Sequence, residues 1–348
     1  MLQRGRFCYF CVLREAVEER ETRPLLGLLL ALAAASVGAA IVFDAWIPDA
    51  RAGSLPPSGS IGPVGWPLLL GGLTFGLGMA FSGSCISAHL YRLAEGSWLA
   101  PVALLGVAAG FALGFVVWNP FYLSGYRTAP LVWLPATLGL GGALLLQLIL
   151  FAALAWWLWH RWHRPVGSDQ AEPFSSPLPW SERLWVRRWP VWASALGVAA
   201  VATVLLFRAE PIGVTSALGS AVRSGGDALG WWPERLEGLD GFRGCRTAPA
   251  ESWLSLNAVF VLALVAGAFA ASLAGGHFRP ERPPVPRLLS AALGGLLLGF
   301  GAMISLGCTV GRLTSGISAL SLCGWLFAVT MLLGILLGLR LRRPWWPS

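Results

Sequence analysis

Charge is what this chain of 348 residues has least of. Asp, Glu, Lys and Arg make up 12% of it, about half the share of a soluble domain, against 56% hydrophobic residues and a mean hydropathy of +0.66. So little polar surface excludes a water-covered globule, and lipid must cover much of the molecule. Lysine is absent: all 25 basic residues are arginine. They lie mostly between apolar stretches, so the net charge of +8 fits cytoplasmic loops and anionic headgroups rather than nucleic acid. Soft ligands are also few. Six Cys and four Met are a thin lining for a soft-metal channel such as one for Cu(I). Cys85, Cys308 and Cys323 lie in or beside apolar segments, which argues against a secreted disulfide framework. A cleavable leader is not expected, because the N-terminus is charged and the first apolar run is long and lacks a cleavage site. The spans hold no acid–base cluster, so an enzyme is not expected.

Tryptophan and glycine are plentiful. Many of the 19 Trp fall near span ends, among them Trp46, Trp66, Trp98, Trp118 and Trp159, where an amphipathic ring suits the headgroup layer. The glycines mark an internal repeat. One copy runs from Gly71 to Gly114 and opens GGLTFGLGMAFSGSC; the other runs from Gly294 to Gly338 and opens GGLLLGFGAMISLGC. At a constant offset Gly71, Gly72, Leu73, Gly76, Gly78, Ser82, Cys85 and Leu90 meet Gly294, Gly295, Leu296, Gly299, Gly301, Ser305, Cys308 and Leu313. About eight of about twenty columns match, against roughly two expected from the composition. Each copy is a short Gly-dense apolar segment, then a small-residue turn with one cysteine, a polar stretch and a full apolar span.

Full spans are expected at 25–47, 98–118, 131–159, 190–207, 253–274 and 325–339, and the short segments at 67–84 and 288–307. Residues 1–23 carry both signs of charge and read as a short helix or re-entrant piece on the cytoplasmic side. The stretch 208–252 reads as a long loop. The linker 160–188 holds Arg161, Arg164, Arg183, Arg187 and Arg188, which assigns it to the cytoplasm. It divides the chain into a first half, 1–159, a basic linker, 160–189, and a second half, 190–348. Counting spans outward from it, the two cysteine segments enter from opposite faces. The expected fold is therefore an all-α integral membrane protein, an inverted-repeat helical bundle with broken, re-entrant helices. The 208–252 loop then lies outside with five arginines, offset by Glu210, Asp227, Glu234, Glu237 and Asp240. The same offset sets 25–47 opposite 248–270 and leaves 190–207 unpartnered, which predicts a further span encoded before Met1.

A lone buried cysteine is most often a small core residue. Cys85 and Cys308 argue for more, because they share one repeat column and each sits in a turn of small residues (Ser82, Gly83, Ser84; Ser305, Gly307, Thr309). Irregular backbone at membrane depth survives only where it is buried in protein or lines a cavity. The polar stretches after the two cysteines begin like helices, whose N-termini favour anions. His89 and Arg312 share the column one helical turn after each cysteine, with headgroup solvation the competing reading. A neutral thiol among backbone N–H groups suits a large, soft, sulfur-containing anion. Cys8 and Cys11 form a CxxC, a signal for redox or metal chemistry, but no second CxxC or nearby histidine completes a zinc site. Cys245 and Cys323 have no repeat partner and read as core. The competing functional readings are a membrane thiol or persulfide-transfer enzyme and a soft-metal channel.

The stretches LQRGRFC at 2–8, GLGMAFSGSCISAHLYRLAEGS at 76–97 and GFGAMISLGCTVGRLTSGISALSLCGW at 299–325 resemble the YeeE/YedE family of sulfur-compound transporters. The resemblance implies inverted halves with broken helices, thiosulfate as substrate, and an inner-membrane, multi-pass location. It also implies that Cys8, Cys85 and Cys308 pass the anion along by S–H···S hydrogen bonds, with no cofactor and no metal; Cys85 is expected to meet the anion from the outer side, Cys308 from the cytoplasmic side, and Cys8 near the narrowest point. Ser84, Gly307, Thr309, Arg312 and His89 complete the expected binding set. The expected partners are the small sulfur anion, the lipid bilayer and a small cytosolic sulfur-carrier protein. Three features are expected to depart from the family: the first turn reads SGSC rather than a double-glycine form, Cys11 is an extra thiol, and the span before the first motif is missing.

Overall fold

The computed structural model describes residues 8–47, 49–50, 55–56, 59–162, 189–207, 213–233, 235–242, 247, 255–276, 278, 280 and 283–342. These residues are helical almost throughout, with two isolated bridges, Pro63 to Leu131 and Trp133 to Ser321, in place of strands. In chain order the helices are α1 (Tyr9–Arg14), α2 (Arg23–Trp46), α3 (Trp66–Ser82), α4 (Ile86–Ala94), α5 (Leu99–Phe121), α6 (Leu134–Trp162), α7 (Val191–Phe207), α8 (Val214–Leu229), α9 (Leu256–Ala274), α10 (Val285–Ile304), α11 (Ser315–Ser318) and α12 (Leu322–Arg342). Among the described residues, π-helical turns occupy Glu15–Glu19, Tyr122–Tyr126 and Thr309–Thr314. Seven segments among the described residues are long and apolar enough to cross a membrane, and α7 is a shorter apolar helix, so this is a multi-pass membrane protein. Proline opens α2, α3 and α10 inside their first turn, where a missing N–H costs nothing.

Four helices form the centre: α3 against α10 and α12, and α10 against α5. Lipid tails give no hydrophobic drive between helices, so close approach of backbones must hold them. Glycine permits it. A Cβ added at Gly71 would lie 2.7 Å from the Ser305 nitrogen, and one at Gly78 2.7 Å from the Gly294 oxygen. The contacts are reciprocal across the repeat. Gly71 meets Ser305 and Gly301, while Gly294 meets Ser82 and Gly78. Gly334 meets Leu73, Gly76 and Leu77, while Gly110 meets Leu296, Gly299 and Phe300. The α3 and α10 helices run antiparallel, since Gly71 faces Gly301 and Gly78 faces Gly294.

Contacts between helix ends set the levels. Trp66, at the start of α3, packs its ring at a tilt against Phe121 and donates to the Ser124 carbonyl after α5. At the other end Arg342 donates to the Ala80 carbonyl and Ser290 to that of Phe81. Arg14, Glu18 and Arg287 stand around Arg342, so this second face is basic.

Two expectations are corrected. The stretch 208–252 is not a plain loop: it carries the amphipathic α8, packed on α5 and α9, and a short 3₁₀ turn at Leu239–Gly241. Arg223 is buried there and forks onto Asp240 at 2.6 and 3.2 Å, which answers one arginine of that segment. The polar stretch after Cys308 begins not as an ordinary α-helix but as the π-turn Thr309–Thr314. Cys245 and nearly all of the 160–188 linker lie outside the described residues.

Candidate functional site

The two cysteine turns have one backbone design. In the first, Gly83 ends α3 in the left-handed region (φ 79°), Ser82 Oγ donates to the Ser84 carbonyl at 3.0 Å, and Cys85 caps α4. In the second, Leu306 is left-handed (φ 58°), Ser305 Oγ donates to the Gly307 carbonyl at 3.1 Å, and Cys308 precedes the π-turn. Leu306 pays a steric penalty of about 1–2 kcal/mol that Gly83 does not. Gly307 has φ 155°, and a Cβ there would meet the Arg312 side chain at 2.7 Å. Cys85, Ser84, Cys308 and Thr309 are all at most 1% exposed.

The α1 helix brings a third thiol. Cys8 is fully buried, and its sulfur lies within hydrogen-bonding reach of both Cys85 and Cys11. Cys85 also has the Ser87 hydroxyl at 3.3 Å. Next along α1, the buried Tyr9 hydroxyl bonds to the Thr314 hydroxyl and is a neighbour of both Cys85 and Cys308. The predicted cysteines 8, 85 and 308 are thus gathered around one tyrosine. Cys8, Cys11, Cys85, Cys308 and Cys323 are free thiols.

Arg312 and His89 occupy the same repeat column but different surroundings. Arg312 is 1% exposed and makes no ion pair among the described residues. Its Nε donates to the Ser305 carbonyl at 2.9 Å and its Nη1 to the Cys323 sulfur at 3.3 Å. The same sulfur accepts from the Gly62 N–H at 3.3 Å, and the Ser321 hydroxyl lies 3.1 Å from it. The loop around Gly62 lies flat on the guanidinium: a Cβ at Gly62 would fall 2.0 Å from Nη1. The Ser60 hydroxyl pins that loop to the Gly311 carbonyl at 2.8 Å. A fully buried guanidinium without a carboxylate partner among the described residues is suited to hold an anion. His89 is equally buried, and neither ring nitrogen has a hydrogen-bond partner among the described residues.

Four residues of this site were not singled out from the sequence. Tyr9 and Thr314 carry no motif signal. Cys323 read as core, yet it organises the donors around Arg312. Arg92 lies beside Cys11 (Nη2 to Sγ 3.6 Å) and the Gly83 carbonyl (Nη1 to O 3.4 Å), and its position three residues after His89 was the available signal.

The chain is similar over 339 residues to the "Thiosulfate transporter TsuA" of Escherichia coli (strain K12), at 25% identity, covering 96% of this chain and 89% of that one. It is similar at 24% identity to the "Thiosulfate transporter TsuA" of Spirochaeta thermophila, covering 96% of this chain and 92% of the relative. An 86-residue stretch, 24% of this chain and 21% of the other, is 31% identical to the "Probable transporter YedE" of Escherichia coli. The model of one family, described as sulphur transport, matches residues 4–337, a region that takes in Cys8, both cysteine turns, α3, α5 and α10 whole, and most of α12. With nearly its whole length accounted for in this way, the chain belongs to the sulphur-transport family.

Proposed function

We propose that this protein takes up thiosulfate, or a related sulfur oxyanion, across the cell inner membrane, and that it is a transporter rather than an enzyme. The observation that carries this reading is the gathering of Cys8, Cys85 and Cys308 around the Tyr9 hydroxyl, all buried and all free. Relatives named thiosulfate transporters, matching over nearly the whole chain, support the substrate. The order expected from the sequence, Cys85 outermost and Cys308 innermost, is reversed in this reading, because the α3 end that leads into Cys85 is the one Arg342 contacts: the anion meets Arg312 and Cys308 from the outer side, with the Gly307 turn and Thr309 hydroxyl beside it. It then passes Cys8 and Cys85, where Ser84 and His89 take part. Neutral thiols hold it weakly: one lost thiol contact costs about 1 kcal/mol of binding. Weak sites in series are what passage requires, since a tight site would stop it.

We read the two halves, 1–159 and 190–348, as an inverted repeat with broken helices. The reciprocal glycine contacts and the antiparallel α3 and α10 support this, and the basic linker then faces the cytoplasm. The face that holds Arg14, Arg287 and Arg342 is cytoplasmic by the same charge rule, and a small cytosolic sulfur-carrier protein would meet the chain there. The test is growth on thiosulfate as sole sulfur source of a strain lacking its own uptake systems. The intact chain restores growth, while Cys85→Ala and Cys308→Ala, present in the membrane at equal amounts, do not. Normal growth with either variant removes the relay.

A further inference from the structure

We propose that Arg92, His89 and Cys11 form a second anion-binding station, on the cytoplasmic side of the thiol path, where the permeating anion rests before release. This rests on the transport reading above and adds a site to it. The sequence already lines the groups up. Cys85, His89 and Arg92 are spaced i, i+4, i+7, so a thiol, an imidazole and a guanidinium descend one face of α4 from the cysteine turn. Cys8 and Cys11, one turn apart on α1, come against that face: Cys8 reaches Cys85, and Cys11 accepts from Arg92 at 3.6 Å.

Two observations point to a ligand. The first is His89. It is 1% exposed, and both ring nitrogens are without partners among the described residues, although one of them must carry a proton that a buried site should satisfy. The second is Arg92. Its guanidinium has Cys8, Cys11, Cys85 and Tyr91 as neighbours and no ion pair among the described residues. The bonds it makes, at 3.4 and 3.6 Å, are long and leave most of its five N–H donors for another acceptor. A sulfur oxyanion supplies both needs, offering oxygens to the guanidinium and imidazole N–H groups and a sulfur to the thiols.

The placement also has a direction. Arg312 lies under the loop that precedes α3, and Arg92 lies near Cys11, which itself is close to Arg14 on the basic face. Two fixed positive charges thus bracket the neutral thiols, one at each end. Cys11 lengthens the path by one sulfur toward the cytoplasm.

An exit station affects release more than capture. The test is uptake of labelled thiosulfate into right-side-out vesicles, separating the maximal rate from the external half-saturation concentration. Arg92→Gln is expected to lower the maximal rate about tenfold and to leave external half-saturation within about twofold. Arg92→Lys keeps at least about half the rate, because the long bonds to Cys11 and Gly83 make the charge matter more than the fork. Should Arg92→Gln fail to reach the membrane, His89→Gln carries the same criteria. The station is overturned if these variants keep the full rate, if only external half-saturation moves, or if Arg92→Lys is as slow as Arg92→Gln, which marks a packing role. An intact chain that takes up no labelled thiosulfate overturns the transport reading and this station with it.

Discussion

At Cys323 a thiol stands where a carboxylate would ordinarily face a buried guanidinium. The difference matters to the substrate. A carboxylate would neutralise Arg312 permanently, whereas a thiol orients the guanidinium through one 3.3 Å bond, and no described carboxylate pairs with its charge. Cys323→Ala removes the acceptor for both Arg312 and the Gly62 N–H. Stranding those donors costs about 1–3 kcal/mol, so the thermal midpoint in detergent falls and half-saturation for thiosulfate rises. Cys323→Ser keeps a donor and acceptor and loses less. Cys323→Asp is the sharper variant: it supplies the missing counter-charge and should raise half-saturation at least about tenfold, because the anion must then displace a carboxylate. An unchanged half-saturation in Cys323→Asp contradicts this account. The sequence made Arg312 visible through the repeat, but it concealed Cys323, which has no partner in the other copy and whose donors come from a loop 261 residues away at Gly62.

On the scale of the helices, what matters is how closely backbones approach. Gly76 sits where a Cβ would lie 2.1 Å from the Met331 carbonyl oxygen, so Gly76→Val must push α3 off α12. Such overpacking costs about 1–3 kcal/mol or more, and because α3 carries the first cysteine turn, uptake falls together with the unfolding midpoint. Gly267 on α9 has nothing within 4 Å of the same position, and Gly267→Ala leaves both unchanged. Thermal unfolding of the two variants side by side checks the assignment. This packing was legible, since glycines every few residues at matching columns mean close helix contact. The π-turn at Thr309–Thr314 was not, although its cause is in the sequence. Gly334 follows Cys308 by one residue more than Gly110 follows Cys85, yet the two glycines make equivalent contacts. A π-turn takes up one extra residue without shifting the helix beyond it, so the second copy keeps its fit to α3. Sequence columns aligned at one offset hide such an insertion. The left-handed position was hidden too, because its column reads Gly83 in one copy and Leu306 in the other.

For the whole molecule, the question is what drives a doubly charged anion through it. The segments long and apolar enough to cross, the reciprocal glycines and the basic face were all readable from composition, periodicity and the positions of the arginines. The meeting of α1 with both turns was not, since no periodic signal places a six-residue helix at the centre of a bundle. In the transport reading proposed above, that meeting lines the path with thiol and hydroxyl groups between two arginines that stay with the protein. In that reading thiosulfate at neutral pH carries its full charge across. Each elementary charge moved against an inside-negative potential costs about 2.3 kcal/mol per 100 mV, so the dianion faces about 4.6 kcal/mol. Transport should then respond steeply to voltage. In liposomes holding the purified chain, an imposed potential of about 60 mV, positive inside, should raise the equilibrium ratio of thiosulfate inside to outside about a hundredfold over that at zero potential. A potassium gradient with valinomycin sets the voltage, and labelled thiosulfate reads the ratio. A ratio indifferent to voltage would mean that two positive charges travel with each anion, and the path would then need a cation site beside its thiols.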